Sequence, residues 1–361
     1  MPRHAYTVAV MHRHLHPHSP VRIFAFSTIL TIATLVAVLL GMGPAALLLT
    51  VILVVVELTF SFDNAIVNAK ILEKLSKPWQ TLFLTVGVLV AIFGMRVVFP
   101  VVIVMITAGL GWGDVMGLAL HDPEAYAHHL EQAHASIVAF GGTFLLMLGL
   151  TFFFDDERDV HWIAWVEERL KRLSHWSAAP VVAVLFIAGL AVLPVNNHAH
   201  ETVVAGLIGI GTYVLLQLLD VLFMRLQGGG AAKVKPGGLT GLAAFSSFIY
   251  LQVLDASFSF DGVLGAFAIT TNVILIAAGL GIGALWVRSM TVYIVRRGTL
   301  GKYLYLEHGA HYTVLLLALI MLASIIWEIS EYVPGLVGIG VIGASVIASI
   351  QAARHRRHQN A

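Results

Sequence analysis

The stretch Glu57-Leu-Thr-Phe-Ser-Phe-Asp63-Asn64 returns, slightly changed, as Asp255-Ala-Ser-Phe-Ser-Phe-Asp261-Gly262. Both copies keep Phe-Ser-Phe-Asp, and both place an acid six residues before the Asp. Each copy lies inside a long apolar run. An ionisable side chain at membrane depth is costly and is functional by default. A duplicated set of them points to a membrane protein of two repeats, with the site between the repeats.

The composition around the motif agrees. Of 361 residues, 58% are hydrophobic and 11% charged, with a mean hydropathy of +0.88. Soluble domains carry about 25% charged residues, so the chain reads as an integral membrane protein. A formal charge of +1 leaves no basic footprint for nucleic acid. There is no cysteine, which excludes disulfides, thiolate metal sites and cysteine nucleophiles.

A membrane-spanning helix needs about 20 apolar residues. Ten runs fit: 23–41, 45–69, 81–110, 137–154, 179–195, 199–223, 239–270, 272–295, 311–330 and 333–349. The first is longer than the apolar core of a signal peptide and is expected to be a span.

Charge placement tests that count. Nineteen of the 21 Lys and Arg residues fall into six clusters: Arg3 to Arg22, Lys70 to Lys77, Arg158 to Arg172, Arg225 to Lys235, Arg296 to Lys302, and Arg354 to Arg357. With ten spans all six lie on one face of the membrane, which the positive-inside rule makes the cytoplasm. The other two, Arg96 and Arg288, each lie in the span after a motif copy. An odd number of spans separates the copies, so the halves are inverted. The expected fold is therefore all-α, with ten transmembrane helices in two inverted repeats and both termini cytoplasmic. Its expected parts are a His-rich tail (1–22), a first membrane repeat (23–154), a cytoplasmic amphipathic linker (155–178), a second membrane repeat (179–350) and a basic tail (351–361).

On a helix, Glu57, Ser61, Asn64 and Asn68 form one polar face, and Thr59 and Asp63 a second strip. In the other copy Asp255, Ser259 and Gly262 share a face, opposed by Ser257 and Asp261. Asp-Asn and Asp-Gly are turn dipeptides, so local unwinding is expected there, freeing carbonyls to bind a cation. Carboxylate, amide and hydroxyl oxygens suit hard cations such as Mg²⁺, Ca²⁺ and Mn²⁺. Glu57, Asp63, Asp255 and Asp261 sum to −4 when ionised, and Arg96 and Arg288 add +2. One divalent cation balances the remaining −2. The alternative is that the acids form structural ion pairs with the two arginines. Asn272, opening the eighth run, reads as a helix cap, with a ligand role as the alternative.

These residues resemble the TerC-like membrane proteins of the LysE-type transporter superfamily: Glu-x5-Asp-Asn in an early span, an Asp partner in a later one, and an arginine in the following helix. Ala139-Phe-Gly-Gly-Thr-Phe-Leu-Leu-Met147 and Asp155-Asp-Glu-Arg-Asp-Val-His161-Trp162 resemble a branch known only as a domain of unknown function. The resemblance implies export of a divalent metal, most often Mn²⁺, from the cytoplasm across the cell membrane. It also carries an association with tellurium resistance. It assigns Asp63, Asn64 and Asp261 to the metal, with Glu57 and Asp255 nearby. Ser61, Asn68, Arg96, Ser259, Asn272 and Arg288 are supporting or charge-pairing residues. The cation is substrate, with no permanent cofactor and no enzymatic role expected. The chain departs from an exact repeat at Gly262 and at Asp255, which stand where the first copy has Asn64 and Glu57.

No Walker A motif occurs, so an ion gradient or the membrane potential must drive transport. Two further functions fit the sequence: an accessory protein that helps export or metallate others, with a homo-oligomer or membrane partner, and an intramembrane aspartyl protease using Asp63 and Asp261. The matched arginines argue against the protease. His12, His14, His16 and His18 are expected in an unstructured tail, with metal gathering as the alternative. The acidic, His-containing segment 111–136 is expected to be an external loop with a short helix.

Overall fold

A computed structural model of the chain describes residues 20–155, 160–171, 178–226, 237–270, 272–298, 303–330 and 332–359. The four tail histidines and the Gly228-Gly-Gly loop lie outside these residues. So do the side chains of Asp63, Ser259 and Asp261, whose backbones are described.

The described chain is almost wholly helical and contains no strand. In order the helices are α1 (Pro20–Phe60), α2 (Phe62–Lys74), α3 (Lys77–Leu89), a π-helical segment (Val90–Val98), α4 (Phe99–Ala108), α5 (Trp112–His121), α6 (Pro123–Gln132) and α7 (His134–Phe153). There follow α8 (Ala164–Lys171), α9 (Ala178–Val192), α10 (Ala199–Leu226), α11 (Gly241–Ile269), α12 (Val273–Arg297), α13 (Leu306–Ala323) and α14 (Tyr332–Gln359).

Among the described residues, eight helical segments are long and apolar enough to cross a membrane, and α9 is a shorter apolar helix of 15 residues. Their outward faces carry large apolar side chains: Leu40 on α1 and Val192 on α9 are each 82% exposed. A face of that kind is stable against lipid and unstable in water.

Sequence reading separates 23–41 from 45–69, and α1 holds the first run and the second as far as Phe60, with non-helical backbone at Gly43 between them. At 1.5 Å per residue a helix of this length would reach about 60 Å, twice the hydrocarbon thickness. Its contacts show what happens instead. Phe24 packs on Tyr293 and Trp286, Ser27 on Ser289, and Thr31 accepts from Trp286 Nε1 at 2.9 Å. Further on, Leu53 meets Gly279 and Glu57 meets Gly283. The first arm thus descends α12 and the second climbs it. The reversal falls at Gly43, whose φ of 87° is a left-handed conformation that glycine adopts without steric cost. Pro44 follows, lacking the N–H a continuing helix would need.

Helix α7 is the core of the bundle, buried along nearly all its length. It packs against α10 and α13 through small residues: Gly141 and Gly142 sit on Met321 and Leu322, and Gly209 of α10 sits on the Phe140 carbonyl. Small residues allow the close approach on which helix packing in lipid depends.

The segment 111–136 is more ordered than expected. It forms α5 and α6, with Asp122 capping α6 by accepting from the Ala125 N–H at 3.1 Å. Val115, Ala119, Tyr126 and Leu130 are buried against Val101 and Val104 of α4. Burial raises the Tyr126 phenol above its ordinary range. The linker also folds inward. Glu167 of α8 is buried and accepts the N–H groups of Trp162 (3.2 Å) and Ile163 (3.1 Å) and the Tyr312 hydroxyl (3.1 Å).

Candidate functional site

The two motif copies meet in the interior. Glu57, near the end of α1, is buried and forms an ion pair with Arg96 of the π-helical segment. Asp255 of α11 is buried and forms an ion pair with Arg288 of α12. Each acid is therefore held by the arginine of the span after its own motif. A buried charge without such a partner would be expensive, and pairing with hydrogen bonding offsets that cost.

The copies also touch each other. Asn64 and Asn68, on α2, both donate from Nδ2 to Oδ1 of Asp255, at 3.0 and 2.9 Å. Ser61 donates to Glu57 Oε1 at 2.9 Å. Gly262, the counterpart of Asn64, stands against Glu57: a Cβ there would lie 3.0 Å from Oε2. Thus Asn64 of the first copy faces the acid of the second, and Gly262 of the second faces the acid of the first. The longer Glu57 reaches into the space that Gly262 leaves open.

The ion pairs enclose a cavity of about 10 Å³, room for one water-sized occupant. Its polar wall is Glu57, Ser61, Asn64, Asn68, Arg96, Asp255 and Arg288. Ala284, Val287 and Thr291 of α12 complete it. A second cavity of about 220 Å³ also has Arg96 in its wall. That one is apolar, lined by Pro100, Met116, Leu120, Tyr126, Val263 and Ile276 among others.

Glycines let the charged groups reach these places. Gly283 of α12 is covered by Glu57, and a Cβ on Gly87 of α3 would lie 3.0 Å from Nη1 of Arg288. Arg288 also stacks over Phe83, its guanidinium carbon 3.9 Å from the ring centre. Sequence reasoning missed these positions. The spacing Gly279-x-Gly281-x-Gly283 is the signal that marks a close helix contact.

The backbone corrects one expectation. Helix α11 runs unbroken from Gly241 to Ile269, through Asp261-Gly262. In the first copy the only departure is at Ser61 (φ −101°, ψ 11°), and Ser61 N–H still reaches the Glu57 carbonyl at 2.9 Å. A turn dipeptide does not unwind a helix here, because in apolar surroundings each freed backbone group would lose its partner. The irregular backbone lies instead at Val90–Val98, the segment that carries Arg96. Pro100 is four residues beyond Arg96, and its ring would clash with the Arg96 carbonyl in a regular α-helix. Such π-helical insertions are frequent at functional sites.

Asn272 caps α12: its Oδ1 accepts from the N–H groups of Ile274 (3.0 Å) and Leu275 (3.2 Å). Among the described residues, no group of three or more His, Asp or Glu is arranged to hold a metal ion. The side chains of Asp63 and Asp261 are not among them.

Apolar helices facing outward around buried acid–arginine pairs define a multi-pass helical membrane protein with a polar interior site. The chain belongs to the family described as Protein of unknown function (DUF475), whose model matches residues 62–356. That match carries no link to the TerC-like proteins or the LysE superfamily. No curated protein and no solved structure matches the chain.

Proposed function

We propose that this protein is a secondary transporter that moves a divalent cation, Mn²⁺ in the first instance, out of the cytoplasm. The observation that carries the proposal is the meeting of the two motif copies, 198 positions apart in sequence. They approach reciprocally, Asn64 on Asp255 and Gly262 on Glu57. Reciprocal contact between duplicated segments is what two inverted halves produce around a midplane site.

On this reading the two arms of α1 count as separate spans and α9 as a further one, giving ten spans with both termini in the cytoplasm. On this arrangement the cargo is held by Asp63 and Asp261. Glu57 with Arg96, and Asp255 with Arg288, are mutually neutralised, which leaves −2 on the remaining two aspartates to balance a divalent cation. Mn²⁺, the outward direction and kinship with TerC-like transporters rest on the motif resemblance. Proteoliposomes test the proposal. Mn²⁺ flux by the wild type, lost in Asp63→Ala and Asp261→Ala with folding intact, is expected. No flux of Mn²⁺, Ca²⁺ or Mg²⁺ under a pH gradient and an imposed potential would overturn it.

A second reading, an accessory protein for export or metallation, has one observation in its favour. Both described carboxylates of the motifs are already neutralised by arginine. That reading predicts a stable membrane complex and no flux by the purified protein.

A further inference from the structure

The amide oxygens of Asn64 and Asn68 have no role in the ion pairs. Asn64 is 5% and Asn68 1% exposed. Each uses its Nδ2 on the same oxygen of Asp255. An ionised carboxylate only accepts, so the orientation of both amides is set: nitrogen toward Asp255, oxygen away. Neither Oδ1 has a hydrogen-bond partner among the described residues. Buried acceptors in a folded protein are satisfied with few exceptions, and an exception calls for a ligand or an ordered water. Both residues line the small cavity beside Ser61.

The asparagines are not needed to bury an acid–arginine pair. Glu57 and Arg96 are as deeply buried as Asp255 and Arg288, and Ser61 donates to Glu57 where two asparagine amides donate to Asp255. At the positions of the second copy that match Asn64 and Asn68 stand Gly262 and Ala266. The amide pair is therefore a one-sided addition to an otherwise duplicated site.

We infer that Asn64 and Asn68 form a binding site for one small monovalent cation, of the class of Na⁺. Among the described residues, the charges lining the cavity cancel, Glu57 against Arg96 and Asp255 against Arg288. A divalent ion is costly to dehydrate, and its protein sites include carboxylates whose charge balances it alongside neutral oxygens. A monovalent ion is held by neutral carbonyl and hydroxyl oxygens, as transporters hold Na⁺ on backbone carbonyls. Two amide oxygens and the Ser61 hydroxyl supply that chemistry, and the volume admits a single ion. Its role as a coupling ion rests on the transporter proposal; its binding does not.

Equilibrium binding of ²²Na⁺ to the purified wild type, in choline chloride, tests the site without reference to transport. The expected result is saturable binding of one ion per chain, weakened at least tenfold in Asn64→Leu and Asn68→Leu. Asn68→Ala, which removes the carbonyl without adding bulk or a new oxygen, serves if a leucine variant fails to fold and is expected to weaken binding tenfold. No saturable binding by the wild type would overturn the inference, leaving water as the partner of the two oxygens. Binding unchanged in all three variants would overturn it equally. Na⁺ binding without Mn²⁺ flux would refute the transporter and leave this site standing. Mn²⁺ flux without Na⁺ binding would do the reverse.

Discussion

Gly262 and Glu57 are fitted to each other: a Cβ on the glycine would lie 3.0 Å from Oε2 of the glutamate. The same place in the other half of the site holds Asn64 against the shorter Asp255. A long acid facing no side chain and a short acid facing an amide fill equal space by different means.

Substituting Gly262→Ala should therefore crowd Glu57, which its ion pair with Arg96 holds in place. Overpacking of this kind costs about 1–3 kcal/mol. Glu57→Asp removes one methylene from the crowded chain. The double variant should be more stable than the sum of the two single changes, as expected for groups in contact. Thermal unfolding in detergent measures all three. Simple additivity would show that the two residues do not press on each other.

Removing one partner of a buried ion pair leaves the other uncompensated. Arg288→Met should cost about 3–5 kcal/mol by stranding Asp255. Asp255→Asn combined with Arg288→Met removes both charges, leaves an amide oxygen to accept from Asn64 and Asn68, and should recover part of that stability. Equal losses in the single and double variants would mean that Asp255 does not depend on its arginine.

The reversal at Gly43 makes a topological prediction. The chain has no cysteine, so single cysteines can be introduced without background. Met42→Cys should react with a membrane-impermeant maleimide on intact cells, and Ser76→Cys only after permeabilisation. Labelling of both from outside would contradict two passes within α1. Gly43→Ala should also destabilise, by about 1–2 kcal/mol, because φ there is 87°.

Glu167 ties the segment before α8 to α13. Glu167→Ala removes the acceptor for two backbone N–H groups and the Tyr312 hydroxyl. These donors are part-buried, and leaving them unpaired costs up to about 1–3 kcal/mol each. Limited proteolysis should cut between 155 and 178 several-fold faster than in the wild type. An unchanged rate would mean that the linker is held by other contacts.

The sequence by itself determined that the chain is helical and built for lipid, because apolar runs of spanning length leave the backbone no other way to satisfy its hydrogen bonds. It also marked Glu57 and Asp255, and the arginines one span later, since ionisable residues inside such runs stand out without any structure. Asn272 was legible as a cap because capping is local. What only the tertiary structure decided is where those groups point. Asn64 and Asn68 share the α1–α2 polar face with Glu57 but bond to Asp255, close to 190 residues away, because α2 packs on α11. Asp-Asn and Asp-Gly suggested a broken helix at the motifs, yet α11 stays whole and the π-helical distortion falls at Val90–Val98. Turn preference is a local energy of small size, whereas an unpaired backbone group in an apolar interior costs several kcal/mol. Which charge meets which, and where a helix yields, depend on neighbours that the linear order of residues does not name.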